Sequence, residues 1–202
     1  MAKSSADAAI GLRVHSGWAA LVVVAGSSDA AEVIAKRRIE ICDPRIRGSK
    51  QPYHAAEPME FADAKVFLEH CEQSTQNLAR EAIQAAIAGL RDRGAEPHSC
   101  SILLASGRQL PDLAAILRSH ALIHTAEGEF YRKAMTDAAE YYKLRVFGIK
   151  ERELYDDAMR NLKRTRRQID SWIVEMGKKL GPPWTQDQKL AALAARIALK
   201  SR

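Results

Sequence analysis

Ile10-Gly11-Leu12-Arg13-Val14-His15-Ser16-Gly17-Trp18, continuing into the apolar run 19–25, is the stretch that decides the fold of this chain. Apolar residues dominate both sides of Ser16-Gly17, a turn-prone pair, and this pattern is typical of two strands joined by a tight hairpin. A second turn at 26–29 precedes a mixed apolar and basic run, which ends where Asp43-Pro44 removes an amide donor. The opening of the chain therefore predicts three consecutive antiparallel strands, over residues 9–16, 18–25 and 32–42.

The remainder of the chain alternates between helical and strand patterns. Residues 43–60, rich in Pro, Arg, Lys and Gly, are predicted to form a loop. Apolar residues then recur every three or four positions from Glu60 to Arg93, which is typical of an amphipathic helix. We expect breaks in two helices, near Ser74-Thr75 and around Thr125 to Gly128. After residue 93 the predicted elements are a strand at 101–105, a helix from Pro111, a helix at 121–142, a strand at 144–149, a helical region from 151 and a last helix at 185–199.

This order of elements resembles that of the ribonuclease H-like superfamily. The loop Gly181-Pro182-Pro183-Trp184 and the Ala-rich helix after it are similar to the end of proteins in the Holliday-junction resolvase branch. The resemblance implies an α/β fold with a mixed five-stranded sheet, in which three antiparallel strands are followed by parallel crossovers, flanked by helices. From the length and composition we expect a flexible N-terminus at 1–7 and a single domain at 8–202 with a helical C-terminal extension. The middle domain of the peptide-release-factor and Pelota group shares the first elements and stays an alternative.

The resemblance also implies where catalytic acids belong. Nucleases of this type hold two divalent ions with acids on the first strand, at the end of the fourth strand and on the final helix. This chain offers Arg13 or His15 on the first strand and Ala105 or Ser106 at the end of the fourth. Among these positions only Asp187, on the final helix, matches the pattern. We therefore expect a domain without catalytic residues or a required cofactor, although a divalent metal at a non-standard site stays open.

Basic residues favour a nucleic-acid partner. The formal net charge is +6, and Lys and Arg side chains bind phosphates by releasing condensed counterions. Two groups are candidates for phosphate contact, one expected at a single edge of the sheet and one on a helix. The first is Arg13, His15 and Arg108, and the second is Lys163, Arg164, Arg166 and Arg167. A ribonucleoprotein is equally compatible with these groups as a partner. The competing interpretation is that both groups are ordinary solvent-exposed surface without a binding role.

Two histidines define a second candidate site. His120 and His124 are four residues apart, so a continuous helix places both imidazoles on one face, and Glu127 is a potential third metal ligand. The segment lacks the Glu of an HExxH motif, and structural histidines are the competing interpretation. A metal-dependent nuclease or hydrolase using His120, His124, Glu127 or Asp187 is therefore an alternative function. A homo-oligomeric interaction module, joined through the long helices, is another.

The remaining composition points to a reducing compartment. The three cysteines, Cys42, Cys71 and Cys100, are an odd number without CxxC spacing, so we expect buried thiols and neither a disulfide framework nor a structural zinc site. The longest apolar run is far shorter than a membrane span, and residues 1–7 do not have a signal-peptide core. We therefore expect a cytoplasmic protein without a membrane partner.

Overall fold

The opening hairpin forms as the sequence predicts. In the computed structural model, which describes residues 6–27, 30–105 and 109–200, strand β1 (Ala6–His15) pairs antiparallel with β2 (Trp18–Ala25). Gly17 takes the turn with φ at 82°, and a Cβ there would lie 2.8 Å from the Cys42 sulfur. Because φ is positive and the space is filled, glycine fits this turn best.

The sheet has five strands in the order β3-β2-β1-β4-β5. Strand β3 (Glu32–Glu40) pairs antiparallel with β2, while β4 (Ala95–Leu104) and β5 (Arg145–Lys150) extend the sheet in parallel from β1. The mixed sheet expected from the sequence is therefore confirmed. Because β1, β4 and β5 are parallel, their carboxyl ends lie at the same edge, which positions the first candidate site.

Both breaks predicted within helices are wrong. The second and fourth helices run without interruption through Thr75 and Gly128, because Thr75 is buried and the apolar stripes continue on either side. The helices of the described residues are α1 (Pro52–Ala56), α2 (Phe61–Arg91), α3 (Leu113–Leu117), α4 (His120–Tyr141), α5 (Leu154–Leu162), α6 (Arg166–Leu180) and α7 (Gln186–Lys200), with a 3₁₀ turn (Glu151–Glu153) before α5. None of these helices is long and apolar enough to cross a membrane.

Helices cover both faces of the sheet and form two separate cores. One core joins the sheet to α2 and α4 and includes Leu12, Ile83 and Tyr131. The other joins it to α5, α6 and α7, with Val22 and Leu193 at its centre. All three cysteines are free thiols; Cys71 and Cys100 are buried as expected, whereas Cys42 is only half-buried. Residues on α4 and on α7 thus lie on opposite faces of the sheet.

Helix α7 packs directly on the backbone of β1. A Cβ added at Gly11 would overlap the carbonyl oxygen of Ala191 and would lie 2.9 Å from the Cβ of Ala195. Since the obstructing group is backbone, a side-chain rotation does not relieve the clash. The absence of a side chain at Gly11 and the small residues of α7 together allow the helix to approach this strand closely.

We predict that Gly11→Ala destabilises the domain by about 3 kcal/mol or more, because α7 must move away from the sheet. The matched control is Gly89→Ala in α2, where the nearest obstacle is the mobile end of Arg37 at 3.3 Å. Removing a glycine from a helix interior stabilises it by about 0.5–1 kcal/mol. Urea unfolding of the two variants checks the prediction, and equal free energies of unfolding would contradict the close approach.

Candidate functional site

Arg13 and His15 project from the same face of β1 as Gly11, because alternate residues of a strand share a face. That face is covered by α7. Asp187 lies in the first turn of α7, one helical turn before Ala191, which contacts Gly11. The Gly11 contact therefore brings Asp187 over the carboxyl end of β1, beside Arg13 and His15.

The guanidinium of Arg13 bridges two carboxylates. Its Nε and Nη2 donate to the two oxygens of Glu151 at 3.0 and 2.9 Å, and its Nη1 donates to Asp187. His15 Nε2 donates to the same Asp187 oxygen at 2.9 Å. The Arg13 and Asp187 side chains are each 22% exposed. This arrangement, called the Arg13 cluster below, consists of Arg13, His15, Glu151 and Asp187.

Two members of the Arg13 cluster, Arg13 and Asp187, have pKa values shifted in favour of their charged forms. The hydrogen bond to Glu151 is the main cause that raises the pKa of Arg13, and partial burial opposes it. Partial burial by itself raises the pKa of Asp187, but the hydrogen bonds from His15 and Arg13, with their positive charge, outweigh it and lower the net pKa. The two carboxylates are thus matched to a cation that belongs to the protein.

The residues at this edge do not fit the pair of divalent ions that the sequence resemblance implies. A guanidinium occupies the space between the two carboxylates, and Arg13 would repel a cation placed beside it. At the end of β4, Ala105 offers no ligand. Ser106 and Arg108, which the sequence also places here, lie outside the described residues.

Glu151 is a member of the cluster that the sequence analysis missed. It directly follows β5, and β5 runs parallel to β1 with β4 between them. A signal was available, since an acidic residue just after a parallel strand lies at the edge where the other parallel strands also end. The sequence alone did not show that Glu151 forms a bidentate ion pair with Arg13.

An aromatic stack extends the Arg13 cluster across the hairpin. The His15 and Trp18 rings are stacked with centroids 4.3 Å apart and an interplanar angle of 11°. The Arg38 guanidinium lies 3.7 Å from the centroid of the Trp18 ring, and Arg38 also donates to Glu40 at 2.6 Å. Trp18 therefore fixes the His15 ring and supports an exposed cation.

The second basic group does not join the first. Lys200, at the C-terminal end of α7, donates to the backbone carbonyl of Asn161, at 2.6 Å. Asp187 is at the opposite end of the same helix, roughly 20 Å away at 1.5 Å per residue. The segment 163–167, which follows Asn161, therefore lies at the far end of the sheet from Arg13 and His15.

Within this basic segment the side chains differ in their surroundings. Lys163 and Arg167 are exposed, and neither makes an ion pair with any residue in the described part of the chain. Arg166 is held 3.5 Å above the Tyr155 ring and pairs with Asp170 at 3.1 Å. Arg164 is half-buried and has interactions of its own. Lys163 and Arg167 are thus the most available cations of the predicted group.

The predicted histidine pair is also assembled, but the predicted third member, Glu127, contacts His54 and not the pair itself. The Nε2 atoms of His120 and His124 are 3.1 Å apart. Glu127 is 3% exposed and accepts hydrogen bonds from the backbone amide and the Nδ1 of His54, at 3.0 and 3.1 Å. Burial raises the pKa of Glu127, and its bonds to His54 partly oppose that rise. Asp187, on the opposite face of the sheet, is not part of this group.

We predict that Asp187 contributes acid-sensitive stability. Its pKa in the folded state is lower than the unfolded value of 3.8, so its contribution is present above that value and is lost as the pH falls through the folded pKa. The stability difference between wild type and Asp187→Asn is therefore expected to shrink as the pH falls below about 4. Denaturant unfolding across this range measures it.

An Arg13→Ala background supplies the control for this experiment. Removing the guanidinium takes away one of the two groups that favour the ionised carboxylate, so the pH dependence of the Asp187→Asn difference should weaken. A difference that is independent of pH in the wild-type background would contradict the assigned ion pair.

Comparison with known proteins identifies the fold. No protein-family model matches this sequence, and no curated protein does. The structure is similar to that of RuvC from Thermus thermophilus, with a TM-score of 0.52 and 11% sequence identity over 94% of this chain and 92% of that one. It is also similar to T. thermophilus RuvC in complex with Holliday junction substrate, with a TM-score of 0.50 and 12% identity over 94% and 90% of the two chains. The fold of this chain is therefore ribonuclease H-like, of the kind found in RuvC.

Proposed function

We propose that this domain is a cytoplasmic nucleic-acid-binding module that does not cleave its ligand. The fold supports the first half of the proposal, since the similar RuvC has a structure in complex with Holliday junction substrate. The net charge of +6 supports it independently, because Lys and Arg side chains bind a phosphate backbone by releasing its condensed counterions. The second half follows from the Arg13 cluster.

The single observation that carries the proposal is the position of the Arg13 guanidinium. A two-metal nuclease requires carboxylate oxygens that are free to clamp two cations, which in turn bind the attacking and leaving oxygens. Here both oxygens of Glu151 and one of Asp187 accept hydrogen bonds from Arg13. An arginine pairs with carboxylates through a fixed fork and stays protonated, so it is a permanent counter-ion. The geometry thus favours structural use of these acids over catalytic use.

Phosphate contact is better assigned to the far end of the domain. Arg13 is neutralised by two acids, and His15 is held between Asp187 and Trp18, so we assign both a positioning role. Lys163 ends α5 in the left-handed conformation, and Arg167 lies in the first turn of α6. Both side chains are exposed near the loop between α5 and α6. Contact with a phosphate backbone there would not require either side chain to break an ion pair within the described residues.

We predict that a synthetic four-way DNA junction binds the wild type with affinity that falls steeply as salt rises. Lys163→Glu with Arg167→Glu is expected to weaken binding at least tenfold and to reduce the slope of log affinity against log salt by about 2, one for each lost phosphate contact. Fluorescence anisotropy over a series of salt concentrations measures both quantities. A duplex of the same length shows whether the junction itself is recognised.

Lys143→Glu with Lys65→Glu is the matched control. Lys143, like Lys163, lies just after a helix and has a positive φ. Lys65, like Arg167, is exposed on a helix, although Lys65 lies 3.9 Å from the Glu69 carboxylate. The two double variants therefore change the net charge equally and strain the backbone similarly. If both lose the same affinity, binding depends on total charge alone and the assigned surface is wrong.

We predict no divalent-dependent cleavage of the junction by the wild type with Mg²⁺ or Mn²⁺, because the Arg13 cluster has no free carboxylate pair. Gel analysis of the junction strands checks this. Cleavage that disappears in Asp187→Asn would overturn the non-catalytic assignment and favour the nuclease alternative. Testing that variant separates the chain's own activity from a contaminating nuclease.

A further inference from the structure

A third imidazole completes the histidine pair on the other face of the sheet. His54 of α1 lies against His120 and His124 of α4, with ring centroids 5.5 and 4.7 Å away. One potential ligand nitrogen from each of the three residues lies within 4.8 Å of the others. We propose that His54, His120 and His124 bind a divalent transition metal, with zinc the best match, and we call this group the three-histidine site.

The spacing suits a metal bound by three imidazoles. Ligand nitrogens in tetrahedral zinc sites, at about 2.0–2.1 Å from the ion, are roughly 3.3 Å from one another. The 3.1 Å between the Nε2 atoms of His120 and His124 already matches this value. Both of these side chains are exposed at the start of α4, so small rotations bring them into line with His54.

Glu127 orients the third ligand. Its carboxylate accepts from His54 Nδ1 at 3.1 Å, which leaves the Nε2 of that ring as the free coordinating nitrogen. A carboxylate that fixes the tautomer of a ligating histidine is a common outer partner of metal sites. Glu127 is 3% exposed, and its second oxygen has no hydrogen-bond partner among the described residues. A nearby cation would offset the burial of this negative charge.

The surrounding core fixes where His54 lies. The neighbouring Tyr53 packs against two small apolar clusters, which include Leu68 and Ile116, and its ring meets that of Phe130 edge-on with centroids 6.1 Å apart. The backbone amide of His54 donates to the same Glu127 oxygen as its ring. Helix α1 is thus held against α4 by packing and by Glu127, so its histidine is placed before any metal binds.

The ligand set selects the class of ion. Neutral imidazole suits zinc, copper, nickel and cobalt, whereas magnesium and calcium require oxygen ligands. Three histidines would leave one tetrahedral position for water, and the exposure of His120 and His124 gives solvent access to the site. The site uses none of the residues assigned to nucleic-acid binding, so each proposal stands or fails independently.

Zinc and cobalt titrations of untagged, chelator-treated protein test this inference. We expect one Zn²⁺ per chain by calorimetry, a rise in the melting temperature with added Zn²⁺, and the visible absorption of tetrahedral Co²⁺. Glu127→Gln should weaken zinc binding by roughly 10- to 100-fold. His54→Ala, His120→Ala and His124→Ala should each weaken it by more than that.

The controls are His70→Ala and His98→Ala, which remove exposed histidines that are not part of the site. Both should bind zinc like the wild type. Because His120 and His124 are exposed, their variants keep the fold, which circular dichroism verifies. Zinc binding that survives His54→Ala would overturn the three-histidine assignment. So would absence of zinc binding in the wild type, which would leave a hydrogen bond between two imidazoles as the function of the pair.

Discussion

The close approach of α7 to β1 at Gly11 is the constraint on which the first site depends. Because Ala191 lies on the backbone of Gly11, residues one helical turn earlier must lie over the end of the strand. Asp187 is that residue, and Arg13 and His15 are the next two on the same face of β1. A larger side chain at Gly11 would separate these groups, so the strand packing and the electrostatics of the site have one cause.

The position of Arg13 changes what the carboxylates can do. Two acids at the edge of a sheet repel each other unless a positive charge lies between them, and either metal ions or a protein side chain can provide it. Arg13 provides this positive charge through three hydrogen bonds. The two to Glu151 are bidentate, a geometry that arginine can form and lysine cannot. The stability of this edge therefore does not require a divalent ion, which is the reverse of the situation in a two-metal nuclease.

The sequence was informative where local patterns decide structure. The apolar runs around Ser16-Gly17 and the helical spacing after Glu60 indicated where strands give way to helices. The resemblance to the ribonuclease H-like superfamily, which rests on the order of all the elements, implied the mixed sheet. Breaks near Thr75 and Gly128 were wrongly expected because polar residues and glycine are weak signals, which tertiary packing overrides in long helices.

The candidate sites were less predictable because they join residues that are distant in the chain. Glu151 is 138 positions from Arg13, and His54 lies in a segment interpreted as a loop. The four-residue spacing of His120 and His124 was visible, but the sequence assigned Glu127 as their third partner. The structure shows Glu127 bonded to His54 instead, a contact that depends on how α1 packs against α4.

The two faces of the sheet thus meet the same electrostatic need differently. On one face, Glu151 and Asp187 are paired with a guanidinium, a counter-ion that stays charged at every physiological pH. On the other, Glu127 is buried beside imidazoles, whose nitrogens accept a proton or a metal but not both at once. Beside β1 the cation is therefore a side chain of the protein, Arg13. Beside α4 the proposed cation is a metal ion taken up from solution. That contrast makes the three-histidine site, rather than the edge of the sheet, the place where this domain is suited to bind a metal ion.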